Sequence, residues 1–101
     1  MEELAITNFL NEIALVKTLE RIDDLASFRK IKNTEEAVGI ANEILSIDIL
    51  SLKYVARECL LHTLLTLQCY YNLSSANLNV LGKIKDQVEP DLADYIVDLL
   101  L

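Results

Sequence analysis

The chain has 101 residues, a length that fits one domain, and 52% of them are hydrophobic. Its formal net charge of -7 argues against binding to the phosphate backbone of nucleic acids and against attraction to an anionic membrane surface. It holds only 2 glycines and 1 proline, too few to punctuate an all-β domain of this size, so the composition favours helices.

The first predicted helix begins near Glu2 or Glu3 and carries two apolar stripes at helical spacing. One stripe consists of Ile6, Phe9, Leu10, Ile13 and Val16. The other, roughly on the opposite side, consists of Leu15, Leu19 and Ile22. Either the helix changes its buried face midway or both faces are covered. The aspartates after Ile22 offer a break, and a short second helix would then run to Ile31.

A capping-box pattern marks the start of the third helix, because Asn33 can cap it and Glu36 follows three residues later. This helix is predicted to reach about Leu45. Asp48 can then cap the longest helix, predicted over about residues 49–71. Apolar residues lie on nearly every side of this segment, and a helix of that kind has to occupy the centre of a fold.

Two further helices complete the prediction. Ser74 or Ser75 can cap the fifth, and Pro90 is well placed as the first residue of the sixth. The fold class predicted is therefore all-α: a single helical domain, residues 1–101, built as a five- or six-helix bundle around one long central apolar helix. Its short connections favour antiparallel neighbours.

Only one face offers candidate chemistry. Ser51, Glu58, His62 and Cys69 follow helical spacing on the central segment, and a glutamate one turn before a histidine can act in acid–base work or hold a metal. A metal site needs three or four ligands, and this is the single histidine of the chain, so a solvated polar stripe is the favoured interpretation. Cys59 lies three residues before His62, but we expect it to be a core residue rather than a nucleophile.

Charged residues collect in two regions. Five basic residues lie early in the chain, at Lys17, Arg21, Arg29, Lys30 and Lys32. An acidic face is predicted on the last helix, formed by Asp91, Asp94 and Asp98 with Asp86 and Glu89 before it. Each region could contact a partner of opposite charge, although solvated faces that keep an apolar protein dispersed are the commoner explanation.

The two cysteines, Cys59 and Cys69, are ten residues apart, roughly 15 Å on one helix, which is beyond disulfide reach. We therefore expect free thiols in a reducing cytoplasm. The amino-terminal sequence MEELA is acidic where a signal peptide is basic, and no span predicted from the sequence suits a bilayer. No cofactor motif occurs.

These observations predict a non-catalytic helical protein-interaction module that self-associates through apolar helix faces, because a short chain cannot easily bury so much apolar surface. One alternative is a small acidic inhibitor of the immunity or antitoxin kind that binds a basic partner. A helical metal protein or enzyme is the less favoured alternative. The predicted contact residues are Leu15, Leu19, Ile22, Tyr70, Tyr71, Leu99, Leu100 and Leu101.

Overall fold

The computed structural model of the chain describes residues 12–101, which form a helical bundle without strands. Its α-helices are α1 (Glu12–Ser27), α2 (Thr34–Leu45), α3 (Tyr54–Tyr70) and α4 (Pro90–Leu100). Shorter 3-10 segments cover Ile49–Ser51, Leu78–Lys83 and Lys85–Gln87. The predicted all-α fold class and helical bundle are confirmed. The expected start of the first helix, with Ile6, Phe9 and Leu10, lies outside the described residues.

Helices α1, α3 and α4 run in the same direction, with α3 in the middle. A hydrogen bond joins the Glu12 carboxylate to the Lys53 amide at one end of α1 and α3, and another joins Thr63 to the Leu19 carbonyl further along both helices. The side-chain amide of Gln68 likewise donates to the Leu99 carbonyl near the ends of α3 and α4. A connecting segment separates each of these helices from the next along the chain. Helix α2 lies between α1 and α3 in the sequence, and the 3-10 segments at 78–87 lie between α3 and α4.

The core includes residues of α3 and of the helices around it, and its side chains are almost entirely leucine, isoleucine and alanine. Within residues 12–101, Thr63 is the one polar side chain that is buried, and its hydroxyl donates to the Leu19 carbonyl at 3.2 Å. No buried polar side-chain atom in this part of the chain lacks a hydrogen-bond partner. The buried polar side-chain atoms of residues 12–101 are therefore all hydrogen-bonded within the fold.

Helix α1 continues without a break to Ser27, so the predicted short second helix ending at Ile31 is wrong. Asp23 does not cap a new helix because its carboxylate is engaged by side chains of α3. The helix ends instead in a Schellman motif, in which the Lys30 amide donates to the Leu25 carbonyl and the Arg29 amide to the Ala26 carbonyl. Arg29 occupies the left-handed position, with φ of 55°, that glycine usually takes.

Helix α2 begins and ends where the sequence predicts. The Asn33 side chain accepts a hydrogen bond from the Glu36 amide at 2.8 Å, and the Glu36 carboxylate accepts one from the Lys32 amide. These bonds satisfy two donors at the start of the helix. Gly39 lies on the exposed side of α2 with no atom near the position of a Cβ, so it does not serve a close helix contact.

The long central helix predicted over 49–71 is interrupted. Residues Ile49–Ser51 form a separate 3-10 turn, and Leu52 and Lys53 are extended before α3 begins. The Arg57 guanidinium holds this turn by donating to the carbonyls of Ile49 and Leu50. Asp48 makes no side-chain cap, contrary to expectation. The central position of the remaining helix agrees with the sequence pattern, because α3 packs against both α1 and α4.

The predicted fifth helix is present only as two 3-10 segments between Leu78 and Gln87. Leu81 is the one fully buried side chain there, and Asn77, Asn79 and Gly82 are poor helix formers. Neither Ser74 nor Ser75 caps a helix, and the Asn72 side chain accepts from the Ser74 amide instead. Pro90 is the first residue of α4, as predicted.

Candidate functional site

A continuous groove runs over α3 along its outer surface, beside α1. We call it the α3 groove; its apolar half is lined by Ile13, Val16, Val55 and Ala56, and its acidic half by Glu20, Asp23, Asp24 and Glu58. The two halves share Val16, Glu20 and Val55, and their volumes are about 750 and 610 Å³. The groove thus combines apolar and charged side chains.

The apolar half exposes two large side chains from different helices. Ile13 of α1 is 72% exposed and Val55 of α3 is 66% exposed. They lie at the same level of the bundle because the Glu12 carboxylate accepts a hydrogen bond from the Lys53 amide. Lys17 and Lys53 border this half. The apolar half thus carries an exposed apolar pair with charged side chains at its border.

The acidic half holds His62 of α3 between α1 and α4. The Nδ1 atom of His62 lies 2.7 Å from Oδ2 of Asp23, and the His62 ring meets the Tyr95 ring edge to face at 6.5 Å between centroids. Asp23 is 19% exposed and its Oδ2 lies 3.1 Å from the Thr66 hydroxyl. An ionised carboxylate only accepts hydrogen bonds, so Nδ1 is the ring nitrogen that carries the hydrogen.

The polar stripe predicted on the central helix is therefore only partly correct. Glu58 and His62 both line the groove, but Asp23 rather than Glu58 binds the imidazole. Ser51 belongs to the separate 3-10 turn, where its hydroxyl donates to the Asp48 carbonyl. Cys69 is exposed near the end of α3 and does not line the groove. Ser51 is separated from the other three side chains because the helix is broken between Ser51 and Tyr54, whereas Glu58, His62 and Cys69 all belong to α3.

Cys59 is half-buried between α3 and α1, and its thiol donates to the Val16 carbonyl. Burial, together with the nearby negative charge of Glu20, raises the pKa of this thiol to about 11. A thiol with such a pKa is protonated at neutral pH and is a poor nucleophile. This environment matches the expectation that Cys59 packs rather than reacts.

Groups that would bind a metal do not converge in the described part of the chain. Within residues 12–101, no three side chains of histidine, cysteine, aspartate or glutamate lie close enough to hold an ion. Over the same residues, no helix combines the length and the apolar character needed to cross a bilayer.

The three predicted contact residues on α1 are in the core. Leu15, Leu19 and Ile22 are at most 3% exposed and form the face of α1 that packs on α3. A partner could reach them only by opening the bundle, so their assignment to a contact surface is corrected. The exposed apolar residue of α1 is Ile13, which belongs to the other stripe.

The other predicted contact residues lie near the ends of α3 and α4. Tyr70 and Leu100 are partly exposed and Leu101 is almost fully exposed, whereas Leu99 is buried. Tyr71 is half-buried and its hydroxyl donates to the Ile31 carbonyl at 3.0 Å, so it secures the loop after α1. Leu100 and Leu101 border a second groove of about 620 Å³ beside Gln68.

Two residues of the predicted acidic face make contacts within the fold rather than forming a free charged surface. Glu89 pairs with Arg57 at 3.1 Å and Asp91 accepts a hydrogen bond from the Tyr54 hydroxyl, so these two acids stabilise the start of α4. Asp94 and Asp98 remain exposed. The five early basic residues are all exposed, and the Arg29 guanidinium lies 5.5 Å from the centre of the Tyr70 ring.

Sequence reasoning missed Val55 and Asp23. Val55 does not stand out within a sequence segment that is apolar on nearly every side, and the aspartates after Ile22 suggested a helix break. A signal for Asp23 was present, because a helix that continues through it places it on the same side as Val16 and Glu20.

No protein-family model, no curated protein and no solved structure matches the chain.

Proposed function

We propose that the chain is a non-catalytic protein-interaction module that acts through apolar helix faces, and that it associates with itself. The observation that carries this proposal is the exposure of Ile13 and Val55 side by side in the α3 groove, above a core that is already closed. Apolar side chains from two helices that share one groove gain from being covered by another protein surface.

The chemistry of the groove supports a contact role more than a catalytic one. His62 is bound by Asp23 and faces no activated nucleophile, because the nearby Cys59 thiol has its pKa raised to about 11. Both cysteines are free thiols in the structure, and we extend the proposal to a reducing, cytoplasmic location on that basis.

A photoreactive amino acid placed at Val55 tests this function in cells that express the chain. We expect a covalent adduct with a second copy or with another protein at Val55, and none when the same residue replaces Gln87, an exposed position on a 3-10 segment. Sedimentation of the purified chain reports self-association separately. A monomer that also forms no adduct at Val55 would contradict the proposed function.

A second candidate is a small acidic inhibitor that binds a basic partner. It is favoured by the four carboxylates of the acidic half of the groove and by the exposed Asp94 and Asp98. Ionic strength separates the two candidates. Binding by carboxylates should weaken steeply as salt rises, whereas binding centred on Ile13 and Val55 should change little.

A further inference from the structure

We propose that the α3 groove binds an amphipathic helix of another protein, one whose contacting face is apolar at one end and carries lysine or arginine at the other. The apolar end covers Ile13 and Val55, and the basic end lies over the carboxylates of the acidic half. This inference rests on the contact role proposed above and adds to it the chemistry of the partner. It does not depend on self-association.

The acidic half of the groove holds carboxylates that the described part of the chain does not neutralise. Within residues 12–101, Glu20, Asp24 and Glu58 form no ion pair with a lysine or an arginine, and no basic side chain of that type lines this half. Glu20 and Asp24 are four residues apart on α1, a spacing at which two like charges destabilise a helix. Cations brought by a partner would relieve this repulsion.

The apolar half continues directly from the acidic half, because Val16, Glu20 and Val55 line both. Ile13 and Val55 are the exposed apolar side chains of this part, and they come from two different helices. A purely ionic ligand would leave them in water, whereas a ligand that carries apolar groups beside its cations covers them as well. The groove therefore matches a partner segment that has both kinds of side chain.

The two halves are separated by two to three helical turns. Ile13 and Asp24 are eleven residues apart on α1, roughly 16 Å at the standard helical rise. Val55 and His62 are seven residues apart on α3, roughly 10 Å. A partner helix that lies along the groove would therefore reach from one half to the other within about two to three of its own turns. Side chains three and four residues apart would share the contacting face.

A helix suits this groove better than an extended strand does. Both walls are helices whose backbone groups bond within α1 and α3 along their length, so an extended segment would find no main-chain partners there. A helix satisfies its own main chain and presents only side chains, which can pack between the side-chain ridges of α1 and α3.

Lys17 and Lys53 limit where the partner can carry positive charge. Both border the apolar half, and neither lines the acidic half. A partner helix that is basic along its whole length would bring like charges together at the apolar end, which weakens binding. The groove therefore favours a helix that is basic at one end over a helix that is evenly basic.

Fluorescence anisotropy with a labelled synthetic peptide tests this inference on the full natural chain. The probe is a helical peptide with leucines on one face of its first two turns and lysines on the same face of its last two turns. We expect saturable binding, and a dissociation constant about tenfold higher or more when glutamates replace the lysines. A peptide of the same composition in which leucine and lysine alternate along that face should be weakened to a similar degree, again about tenfold. A natural chain that does not bind the first peptide would overturn the inference.

Paired variants of the chain assign the charged contact to the groove. Glu20→Gln with Glu58→Gln removes two charges from the acidic half, whereas Asp94→Asn with Asp98→Asn removes two from the exposed side of α4. The first pair should raise the dissociation constant of the peptide about tenfold, and the second should change it by less than about twofold at moderate salt. Equal losses would mean that net charge alone attracts the peptide, which contradicts a site in the groove.

The apolar contact is tested in the same assay. Ile13→Ala with Val55→Ala should weaken peptide binding about tenfold or more, because the leucines lose the side chains that they cover. Val97→Ala, which truncates an exposed apolar residue of α4, is the matched control and should leave the affinity unchanged. Alanine favours helices and the replaced side chains are exposed, so these variants should fold, as circular dichroism would verify. Full affinity in the double alanine variant would rule out the proposed apolar end.

Cross-linking at Val55 in cells separates a failure of this inference from a failure of the proposed function. Mass spectrometry of the adduct should identify a partner segment with apolar residues at the linked position and lysine or arginine about two to three helical turns away. An adduct with a segment that lacks this pattern, or with a second copy of the chain, would overturn the inference and leave the proposed function standing. A chain that gives no adduct, binds no peptide and sediments as a monomer would contradict both.

Discussion

Asp23 of α1 binds His62 of α3 through a contact of 2.7 Å between Oδ2 and Nδ1, and the same carboxylate oxygen lies 3.1 Å from the Thr66 hydroxyl. One carboxylate therefore joins the two helices on the floor of the α3 groove. The contact links the fold to the candidate site. Asp23 joins α1 to α3, and the same side chain binds the Nδ1 atom of His62 in the groove.

Replacing Asp23 with alanine should lower the free energy of unfolding by about 1–2 kcal/mol, because His62 and Thr66 both lose an acceptor. Asp24→Ala provides the matched control, since Asp24 is exposed, and should change stability by no more than about 0.5 kcal/mol. Urea unfolding monitored by circular dichroism measures both. Equal effects for the two variants would contradict a structural role for the contact.

Gly39→Ala should stabilise the chain by about 0.5–1 kcal/mol. Gly39 lies inside α2 without a positive φ, and nothing occupies the place of a Cβ, so alanine removes only the entropic cost of glycine in a helix. Gly82→Ala is the comparison, because its Cβ would lie 3.7 Å from Leu100 and no α-helix surrounds it. Thermal unfolding should show a rise in melting temperature for Gly39→Ala and little change for Gly82→Ala.

Arg29→Gly should be more stable than Arg29→Ala by about 1 kcal/mol. Both variants lose the contact of the guanidinium with the Tyr70 ring, but only glycine relieves the left-handed conformation at φ of 55°. The difference between the variants therefore isolates the backbone cost from the side-chain contact. Denaturant midpoints that coincide for the two variants would show that the turn after α1 does not hold this conformation in solution.

Tyr54 should ionise only near pH 12. Its hydroxyl donates to the Asp91 carboxylate, and this hydrogen bond, with smaller effects of desolvation and of nearby negative charges, raises its pKa to about 12. The folded state thus keeps this proton above the ordinary tyrosine pKa near 10, so the contribution of the bond to stability falls as the pH rises between these values. Absorbance titration of the natural chain against Tyr54→Phe isolates this residue, and Asp91→Ala should move its midpoint toward 10.

Cys69 should react with iodoacetamide at neutral pH well before Cys59 does. Cys69 is exposed, whereas Cys59 is half-buried and its thiol has a pKa raised to about 11, so very little thiolate is present there. Mass spectrometry of the time course with Cys69→Ser and Cys59→Ser variants assigns each rate. Comparable rates at the two positions would contradict the environment described for Cys59.

The sequence predicts those elements whose signals are local. The capping box at Asn33 and the proline that begins α4 define helix ends through neighbouring residues alone, and both are in the expected places. The break before Tyr54 was missed because the Arg57 side chain holds it by reaching back to two carbonyls, which hydrophobic periodicity does not reveal. The uninterrupted course of α1 through Asp23 likewise depends on a partner in α3.

The site was predictable only in part for a related reason. Periodicity placed Glu58 and His62 on one face, but it could not decide which of the two stripes of α1 faces the core. That choice depends on how α3 packs against α1, and it turned Leu19 inward and left Ile13 exposed. The predicted contact stripe of α1, which includes Leu19, therefore lies roughly on the opposite side of the helix from the exposed Ile13.

The common direction of α1, α3 and α4 also constrains how the chain can fold. Helices that run the same way cannot pair as a simple hairpin, so Thr63 must find the Leu19 carbonyl across a separation of 44 residues. Closing a loop of that size costs chain entropy before any core contact is gained, and folding rates fall as such separations grow. We therefore expect slower folding than in an up-and-down bundle of the same length, and no independent folding of a fragment that ends before α3.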